Sequence, residues 1–192
     1  MDDVLIFGAG GHAVSVIDIF QTQGKYRICG VIDRNTSYEA HTPSRVKVFV
    51  AIGDNKIRQT VTQRLLAEGY TLVNAISPHA YVSASSVVGT GVCIMPHAVV
   101  GPNTKIGNST IINTRASVDH DCDVADYCHI APGSTLCGFV TVGSDTFICA
   151  GVTVIDRIAI GENCIVGAGA VVIRNVPNGE KVVGIPAKTI NR

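Results

Sequence analysis

The sequence predicts a small Rossmann-like α/β domain followed by a parallel β-helix, and three observations support this prediction. An aliphatic residue recurs at every sixth position from Val82 to Val172. A glycine-rich G-x-G-x-x-A segment, Gly8 to Ala13, stands between a short apolar run and an apolar-periodic stretch. Aromatic residues make up only 5% of the chain and Trp is absent, which suits a narrow interior that cannot hold large rings.

The N-terminal segment is predicted to form a strand, a glycine loop and a helix. Residues 3–7 (DVLIF) are typical of a buried strand, and the periodicity after the loop predicts a helix to about Gln23. Glycines here let the backbone approach a phosphate, and the helix N-terminus favours negative charge. The loop glycines Gly8, Gly10 and Gly11 are therefore expected to approach the phosphate of a nucleotide. A plain tight turn remains the alternative.

The elements that follow complete a domain predicted to span residues 1–76. They are strands at Tyr26–Ile32, Val46–Ile52 and Thr71–Ile76, a polar loop at 34–45, and a helix at Lys56–Glu68 capped by Asp54 or Asn55. Asp33 follows Gly10 by roughly 20 residues, near the spacing at which an acidic residue meets a ribose. The domain is too short for a dinucleotide, and a mononucleotide-sized group is expected instead.

Residues 77–176 are organised by the six-residue period. The aliphatic positions are Val82, Val88, Ile94, Val100, Ile106, Ile112, Val118, Val124, Ile130, Leu136, Val142, Ile148, Val154, Ile160, Val166 and Val172. Four residues after each stands a mostly small and never charged residue. A period of six fits neither 3.6 nor 3.5, which excludes a long helix or coiled coil, and hexapeptide repeats are the signature of a parallel β-helix.

This pattern resembles the left-handed β-helix of hexapeptide acyltransferases. The resemblance implies left-handed winding with three hexapeptides, 18 residues, in each of about five coils. Strands stack about 4.8 Å apart, so residues 18 apart are expected in one column. The predicted tail, residues 177–192, contains a segment (GIPAK) similar to the one that helps to cover coenzyme A in that family, so Pro186 and Lys188 are expected cofactor contacts.

One coil carries most of the reactive side chains of the repeat. Residues 118–129 (VDHDCDVADYCH) hold two histidines and four aspartates. Acyl transfer from a thioester needs a base for the nucleophile's proton and a donor for the developing oxyanion. His120, flanked by Asp119 and Asp121, suits the base, and the column rule places the backbone amide of Gly138 one coil above it. A histidine exposed on a surface turn is the alternative.

A second column lacks side chains almost entirely. Gly133, Gly151 and Gly169 are 18 apart, and Pro132, Ala150 and Ala168 precede them. An extended pantetheine arm could lie along this edge against backbone amides, and residues 150, 151, 168 and 169 are therefore expected cofactor contacts. Ordinary tight turns are the alternative, because the fold needs turn glycines in any case.

The motifs GAGGHA, VAIGDN, VDHDC and HIAPGSTLCG together resemble bacterial sugar acetyltransferases. That group includes enzymes that N-acetylate UDP-4-amino-4,6-dideoxy sugars and the related sialic acid O-acetyltransferases. The resemblance implies a homotrimer that uses acetyl-CoA on a UDP-amino sugar. It also implies site roles: His120 as base, Asp121 as its carboxylate partner, Gly138 as oxyanion donor, His129 near the acetyl group, and Gly8, Gly10, Gly11, His12, Asp33 and Asp119 toward the substrate.

The composition of the chain narrows the classes of partner, location and metal or disulfide chemistry that are expected. The net charge is zero and the pI near 7.0, so nothing favours nucleic acid or an anionic membrane as partner. Asp2 and Asp3 stand where a signal peptide needs positive charge, so a cytoplasmic location is expected. Seven cysteines without a CxxC motif are expected to be free thiols rather than metal ligands or disulfides. No metal site is predicted.

Two further functions are weighed against the nucleotide-sugar N-acetyltransferase. An O-acetyltransferase acting on sialic acid, or on another sugar without a nucleotide, would have no affinity for UDP. A non-catalytic β-helix, or a zinc-dependent carbonic-anhydrase-like protein, is the third possibility. The zinc protein would need three histidine ligands, and the spacings of His97, His120 and His129 do not suggest such a triad.

Overall fold

The computed structural model describes residues 1–33 and 42–190, so most of the loop predicted at 34–45 lies outside the described residues. The N-terminal unit is a four-stranded parallel sheet in the order β2-β1-β3-β4. Its elements are β1 (Asp2–Phe7), α1 (Gly11–Gln23), β2 (Tyr26–Ile32), β3 (Lys47–Val50), α2 (Asn55–Ala67) and β4 (Thr71–Leu72).

Apolar stripes hold the two helices on the sheet, and a cap stabilises the start of α2. Phe20, Ile19 and Val16 of α1 pack with Val4, Ile6 and Phe49 of the sheet. Leu65 of α2 packs in a separate cluster that contains Leu5 and Val48. The Asp54 carboxylate accepts a hydrogen bond from the Ile57 amide at 2.9 Å and caps α2, one of the two caps predicted.

The strand predicted at Thr71–Ile76 is two strands, and this corrects the sequence prediction. Thr71 and Leu72 pair with β3 in the N-terminal sheet, whereas Ala75 and Ile76 (β5) pair with a strand of the β-helix. Between them, the Asn74 side chain donates to the Gly89 carbonyl at 2.8 Å and accepts from the Val92 amide at 3.0 Å. The chain therefore passes from one sheet to the other within three residues, and the predicted boundary after residue 76 falls just beyond β5.

The rest of the chain winds as a left-handed β-helix with three faces. The first face holds β5 (Ala75–Ile76), β8 (Cys93–Ile94), β11 (Ile111–Ile112), β14 (His129–Ile130), β17 (Phe147–Ile148), β20 (Ile165–Val166), β22 (Lys181–Val183) and β23 (Lys188–Thr189). The second holds β6 (Tyr81–Val82), β9 (Val99–Val100), β12 (Ser117–Val118), β15 (Thr135–Leu136), β18 (Thr153–Val154) and β21 (Val171–Val172). The third holds β7 (Val87–Val88), β10 (Lys105–Ile106), β13 (Asp123–Val124), β16 (Thr141–Val142) and β19 (Ala159–Ile160).

The register confirms the 18-residue coil, because Lys105 pairs with Asp123 and Asp123 with Thr141. The second face has six strands, so the helix makes six coils rather than the five expected. Each of these six strands ends on a residue of the predicted aliphatic series, from Val82 to Val172, so the series itself spans the six coils. The predicted aliphatic series fills the interior: its members from Ile94 onward are buried, and Val82 and Val88 pack partly buried against them.

Inside the β-helix, the side chains of small polar residues hydrogen-bond backbone groups of neighbouring coils. The hydroxyl of Thr110 donates to the Ala125 carbonyl at 2.8 Å and accepts from the Cys128 amide at 3.1 Å. The thiol of Cys128 donates to the Gly143 carbonyl at 3.1 Å, and burial raises its pKa to about 12. All seven cysteines are free thiols, so Cys122, Cys128 and Cys164 act as small buried residues.

The three edges between the faces are called corners. The first corner joins the first face to the second, the second corner joins the second to the third, and the third corner joins the third to the first. From Gly91 to Gly169, every sixth residue turns the chain at positive φ, such as Asp121 at 57° or Gly151 at 68°. Among the described residues, no helix is both long enough and apolar enough to cross a membrane.

Candidate active site

A cleft of about 830 Å³ lies at the carboxyl ends of the N-terminal strands. The predicted nucleotide contacts Gly8, Gly10, Gly11, His12 and Asp33 all line it, with Ile52, Gly53, Ile57, Val61 and Arg64 among the other lining residues. Such a crevice beyond the ends of parallel strands is where α/β sheets bind ligands. The sequence prediction and the shape of the domain therefore indicate the same place.

The glycines of the loop differ in what they provide. Gly8 has φ of 122°, and an added Cβ would lie 2.5 Å from the Ala51 carbonyl oxygen, so this position requires glycine. Gly10 and Gly11 have nothing within 4 Å of a Cβ and leave their backbone open to the cleft. Gly10 precedes α1 without a side-chain cap. The amides of Gly11 and His12 bond no described backbone group and are therefore available to an anion, whereas the Ala13 amide donates to the Gly10 carbonyl at 2.9 Å.

His129 is neutral and fixed in one tautomer. Its Nδ1 lies 3.2 Å from the Gly53 carbonyl oxygen, and its Nε2 lies 3.0 Å from the Asn113 amide nitrogen. Because a carbonyl only accepts, Nδ1 carries the proton and Nε2 accepts from Asn113. Burial, and secondly the charge of Arg58, lower the pKa of His129 to about 4. With both nitrogens bonded, His129 is not poised as a base in this state.

His12 extends this cluster toward the cleft. Its ring centroid lies 6.5 Å from that of His129. Burial, and then the charge of Arg58, lower the pKa of His12 to about 4, and its Nε2 is buried without a hydrogen-bond partner among the described residues. A buried polar atom of this kind is costly unless something bonds it. His12 is thus placed to contact a ligand that occupies the cleft.

Arg58 joins the two units and was not predicted from the sequence. Its side chain is 1% exposed, and its guanidinium donates to the carbonyls of Ile52 and Gly53 beside the cleft. It also donates to the β-helix carbonyls of Ser109, Tyr127 and Cys128. Burial lowers its pKa to about 10, so it remains a cation at neutral pH. The signal available in the sequence was its spacing, because Arg58, Thr62 and Leu65 form the buried stripe of α2.

Replacing Arg58 by methionine is expected to lower the free energy of unfolding by on the order of 3 kcal/mol, because several buried carbonyls lose their donor. Urea unfolding measures the change. Arg64→Met is the matched control, since Arg64 lies on the same helix with its side chain 51% exposed. Its pair with Glu68 is worth about 0.5 kcal/mol or less. Equal effects of the two substitutions would contradict the role given to Arg58.

The two neutral histidines make stability depend on pH. Their pKa is about 4 in the folded chain against 6.5 when unfolded, so the unfolded state binds more protons between these values. The contribution of the two rings to the free energy of unfolding is therefore fully present above about pH 6.5. It falls by on the order of 1–3 kcal/mol for each ring as the pH drops toward 4. Urea unfolding across this range should show the fall, and His129→Gln should remove part of it. A flat profile in the wild type would contradict the assignment.

His120 lies on the second corner as an oriented base. Its Nδ1 is 2.9 Å from Asp121 Oδ2, so Nδ1 donates to the carboxylate and Nε2 keeps a lone pair. The side chains of His120 and Asp121 are 48% and 35% exposed. Hydrogen bonds from His120 and then from Asn103, whose Nδ2 is 3.2 Å from Asp121 Oδ1, lower the pKa of Asp121. The carboxylate is therefore ionised and held on both sides.

Gly138 is brought against this imidazole, as the column rule predicted. An added Cβ would lie 2.5 Å from His120 Cε1 and 2.7 Å from Nε2, so only glycine leaves room for the ring. The Gly138 amide makes no hydrogen bond to the described part of the chain. A base with a free nitrogen and a free backbone donor thus lie side by side, which is the pair that acyl transfer requires.

Asp119 lies next to His120 rather than at the cleft. Its carboxylate accepts from the His120 amide at 2.7 Å, which fixes the turn. Asp119 is absent from the residues that line the cleft. Its predicted contact with substrate stays a prediction.

The predicted pantetheine edge forms the first corner. Ala150, Gly151, Ala168 and Gly169 are all exposed there, and added Cβ atoms at Gly151 and Gly169 would meet nothing within 4 Å. The glycine amides donate to the coil below, whereas the amides of Ala150 and Ala168 bond no described residue. These alanine amides, like that of Gly138, are therefore available to a ligand.

The tail closes the last coil above this edge. β22 adds to the first face, and β23 pairs antiparallel with it. The Ala187 amide donates to the Val171 carbonyl at 2.8 Å, and Pro186 and Lys188 on either side are exposed. Residues 1–33 and 42–190 contain no cluster of three or more His, Cys, Asp or Glu that could hold a metal ion.

Within one chain the two halves of the site lie on different edges. His120 and Gly138 are on the second corner. The predicted pantetheine edge, which we call the bare column, is on the first corner, with the strands of the second face between them. A ligand that touches both needs a path across that face or a second copy of the chain.

Comparison with known proteins shows which family combines these parts. Residues 3–65 match the PglD N-terminal domain, and residues 103–138 and 139–174 match the bacterial transferase hexapeptide repeats. PerB from Caulobacter crescentus, solved with CoA and GDP-perosamine, is 37% identical, with a TM-score of 0.94 over 100% of this chain and 98% of PerB. The chain belongs to the hexapeptide-repeat sugar acetyltransferases.

Three further proteins are similar to this chain over all or part of its length. The acetyltransferase domain of PglB from Neisseria gonorrhoeae, solved with acetyl coenzyme A, is 32% identical, with a TM-score of 0.93 and 98% of each chain covered. UDP-N-acetylbacillosamine N-acetyltransferase from Bacillus subtilis is 34% identical over 112 residues, 50% of this chain and 52% of that protein. An uncharacterized mimivirus protein is 33% identical over 101 residues, 46% of this chain and 20% of that protein.

Proposed function

We propose that this protein is an acetyl-CoA-dependent N-acetyltransferase that acts on the 4-amino group of a nucleotide-linked amino-dideoxy sugar. The observation that supports it most is the His120–Asp121 pair packed against Gly138, whose amide bonds no described residue. The relatives named above include N-acetyltransferases whose substrates are nucleotide-linked amino sugars. The cleft in the N-terminal unit is the place for the nucleotide.

In the proposed reaction the unprotonated amine attacks the thioester carbonyl directly. Nε2 of His120 removes the proton from the attacking nitrogen, and the Gly138 N–H stabilises the oxyanion. Collapse of the tetrahedral intermediate breaks the carbon–sulfur bond, and the CoA sulfur leaves and takes up a proton. The products are the acetamido sugar and the CoA thiol, and no cysteine is acylated.

Asp121 supports the base without leaving its ionised state. It accepts from Nδ1, keeps Nε2 unprotonated in the resting tautomer, and stabilises the imidazolium that forms. His129 is our proposed neutral polar contact near the acetyl group. Because its Nε2 accepts, only a ligand group that donates a hydrogen bond can take the place of the Asn113 amide there.

We place the nucleotide sugar in the cleft, with its phosphates at the amides of Gly10 and Gly11 and its ribose at Asp33. UDP is the nucleotide that we propose, although the relative PerB was solved with GDP-perosamine. A calorimetric titration with UDP and with GDP separates the two. It also tests the O-acetyltransferase alternative, which predicts that neither nucleotide binds.

The pantetheine arm is proposed to lie along the first corner, at Ala150, Gly151, Ala168 and Gly169, under Pro186 and Lys188. Because His120 lies on another corner, we propose that the site forms between neighbouring copies in a homotrimer. Light scattering in solution tests the number of copies. Mixing His120→Ala with Gly151→Trp chains should then restore activity, because at some interfaces one chain supplies an intact His120 and its neighbour supplies an intact Gly151.

The direct test of the activity is thiol release from acetyl-CoA against a panel of UDP-, GDP- and dTDP-linked 4-amino sugars and free sialic acid. We expect release with at least one nucleotide-linked amine and none with sialic acid. Release with sialic acid alone would replace the proposal with the O-acetyltransferase.

A further inference from the structure

Four residues of the second corner form a continuous column that includes Asp121, the hydrogen-bond partner of His120. Asn103, Asp121, Phe139 and Arg157 are 18 apart and have φ between 57° and 61°. Three are polar and suit an exposed edge. Phe139 is the exception, since a bulky apolar residue in the left-handed region is uncommon and its backbone conformation is unfavourable.

The ring of Phe139 does not serve the core. It is 42% exposed and lies outside the interior series of the β-helix. Its ring centroid is 5.3 Å from that of His120, with the planes at 88°. The Arg157 guanidinium carbon lies 4.4 Å from the ring centroid. The ring is thus held between the imidazole and a cation one coil away, both favourable partners for an aromatic ring.

The imidazole of His120 is thereby restrained from three directions. Asp121 holds Nδ1, Gly138 lies against the edge formed by Cε1 and Nε2, and Phe139 packs perpendicular to the ring plane. Nearly half of the His120 side chain is exposed, so core packing alone does not fix its rotamer. A base that must meet a proton within about 3 Å loses rate steeply when its orientation is loose.

We propose that Phe139, backed by Arg157, is a positioning residue that holds the His120 imidazole in its productive rotamer. The proposal rests on the proposed function, because it assumes that His120 is the base. It does not require Phe139 to touch either substrate.

The test compares Phe139→Leu with Phe139→Tyr in the thiol-release assay. Loss of the ring should lower kcat by about 10-fold while KM for both substrates stays within about 2-fold, since orientation and not binding is lost. Tyrosine keeps the ring and should keep most of the kcat. Arg157→Gln should give a smaller loss of the same kind. An unchanged kcat in Phe139→Leu would overturn the proposal.

Two further readouts separate positioning from a structural role. In a His120→Ala background, Phe139→Leu should cause no further loss, because there is no imidazole left to orient. A further loss there, or a change of oligomer mass in Phe139→Leu, would overturn the proposal, because the ring would then serve the oxyanion or an interface. Failure of the wild type itself to transfer acetyl groups would refute the proposed function instead.

Discussion

His120→Ala is expected to lower kcat by about 10²–10⁴-fold, which is the contribution of a positioned general base. The imidazole contacts neither the nucleotide cleft nor the bare column of its own chain, so KM for both substrates should change little. Steady-state thiol release measures both constants. An unchanged kcat would refute the assignment.

His79→Ala is the matched control for this variant. His79 is an exposed histidine of the same β-helix, on the first corner, and its ring stacks with that of His97 at 6.2 Å. It has no carboxylate partner among the described residues. Its removal should leave kcat unchanged, so equal losses in the two variants would point to general damage rather than to a base.

Gly138→Ala is expected to lower kcat by about 10²-fold or more, although it adds only one methyl group. That methyl would stand 2.5 Å from His120 Cε1, and the imidazole must swing away from its position beside the amide. A shift of about 1 Å at a reacting group has a cost of this size. The backbone tolerates alanine, because Gly138 does not have a positive φ. Folding should therefore survive, as thermal unfolding would show.

Asp156→Ala serves as the control for Gly138→Ala. Asp156 occupies the same turn position one coil further on, with its side chain 66% exposed. It faces no imidazole, so both kcat and stability should remain close to wild type. If Gly138→Ala kept full activity, the amide and the ring would not have to share this space, and the oxyanion role would lose its support.

The periodic part of the fold could be predicted from the sequence because each hexapeptide repeats the same physical requirement. An aliphatic residue must fill the prism and a small residue must fit beside it, so the place of each residue in one coil predicts the place of the residue 18 positions later. That regularity is why the meeting of His120 with Gly138 could be predicted before any coordinates. The same rule located the open edge at Ala150 and Ala168.

What the sequence did not reveal lies where the two units meet. Three of the carbonyls that accept from buried Arg58 belong to Ser109, Tyr127 and Cys128, and those residues are far away in the chain. Asn113 fixes His129 across neighbouring strands, which no local pattern shows. The division of Thr71–Ile76 likewise depends on which sheet offers partners, which the residues of the segment itself do not show.

The measurement that tests the central claim most directly is the linkage of the transferred acetyl group. Wild-type protein, acetyl-CoA and a UDP-linked 4-amino sugar are incubated, and the product and protein are examined by mass spectrometry before and after hydroxylamine. We predict one acetyl group on the sugar in a hydroxylamine-resistant amide, an unmodified protein, and product formed about 10²–10⁴-fold more slowly with His120→Ala. A hydroxylamine-labile ester on the sugar, or an acetyl group carried by a cysteine of the protein, would contradict direct attack assisted by His120.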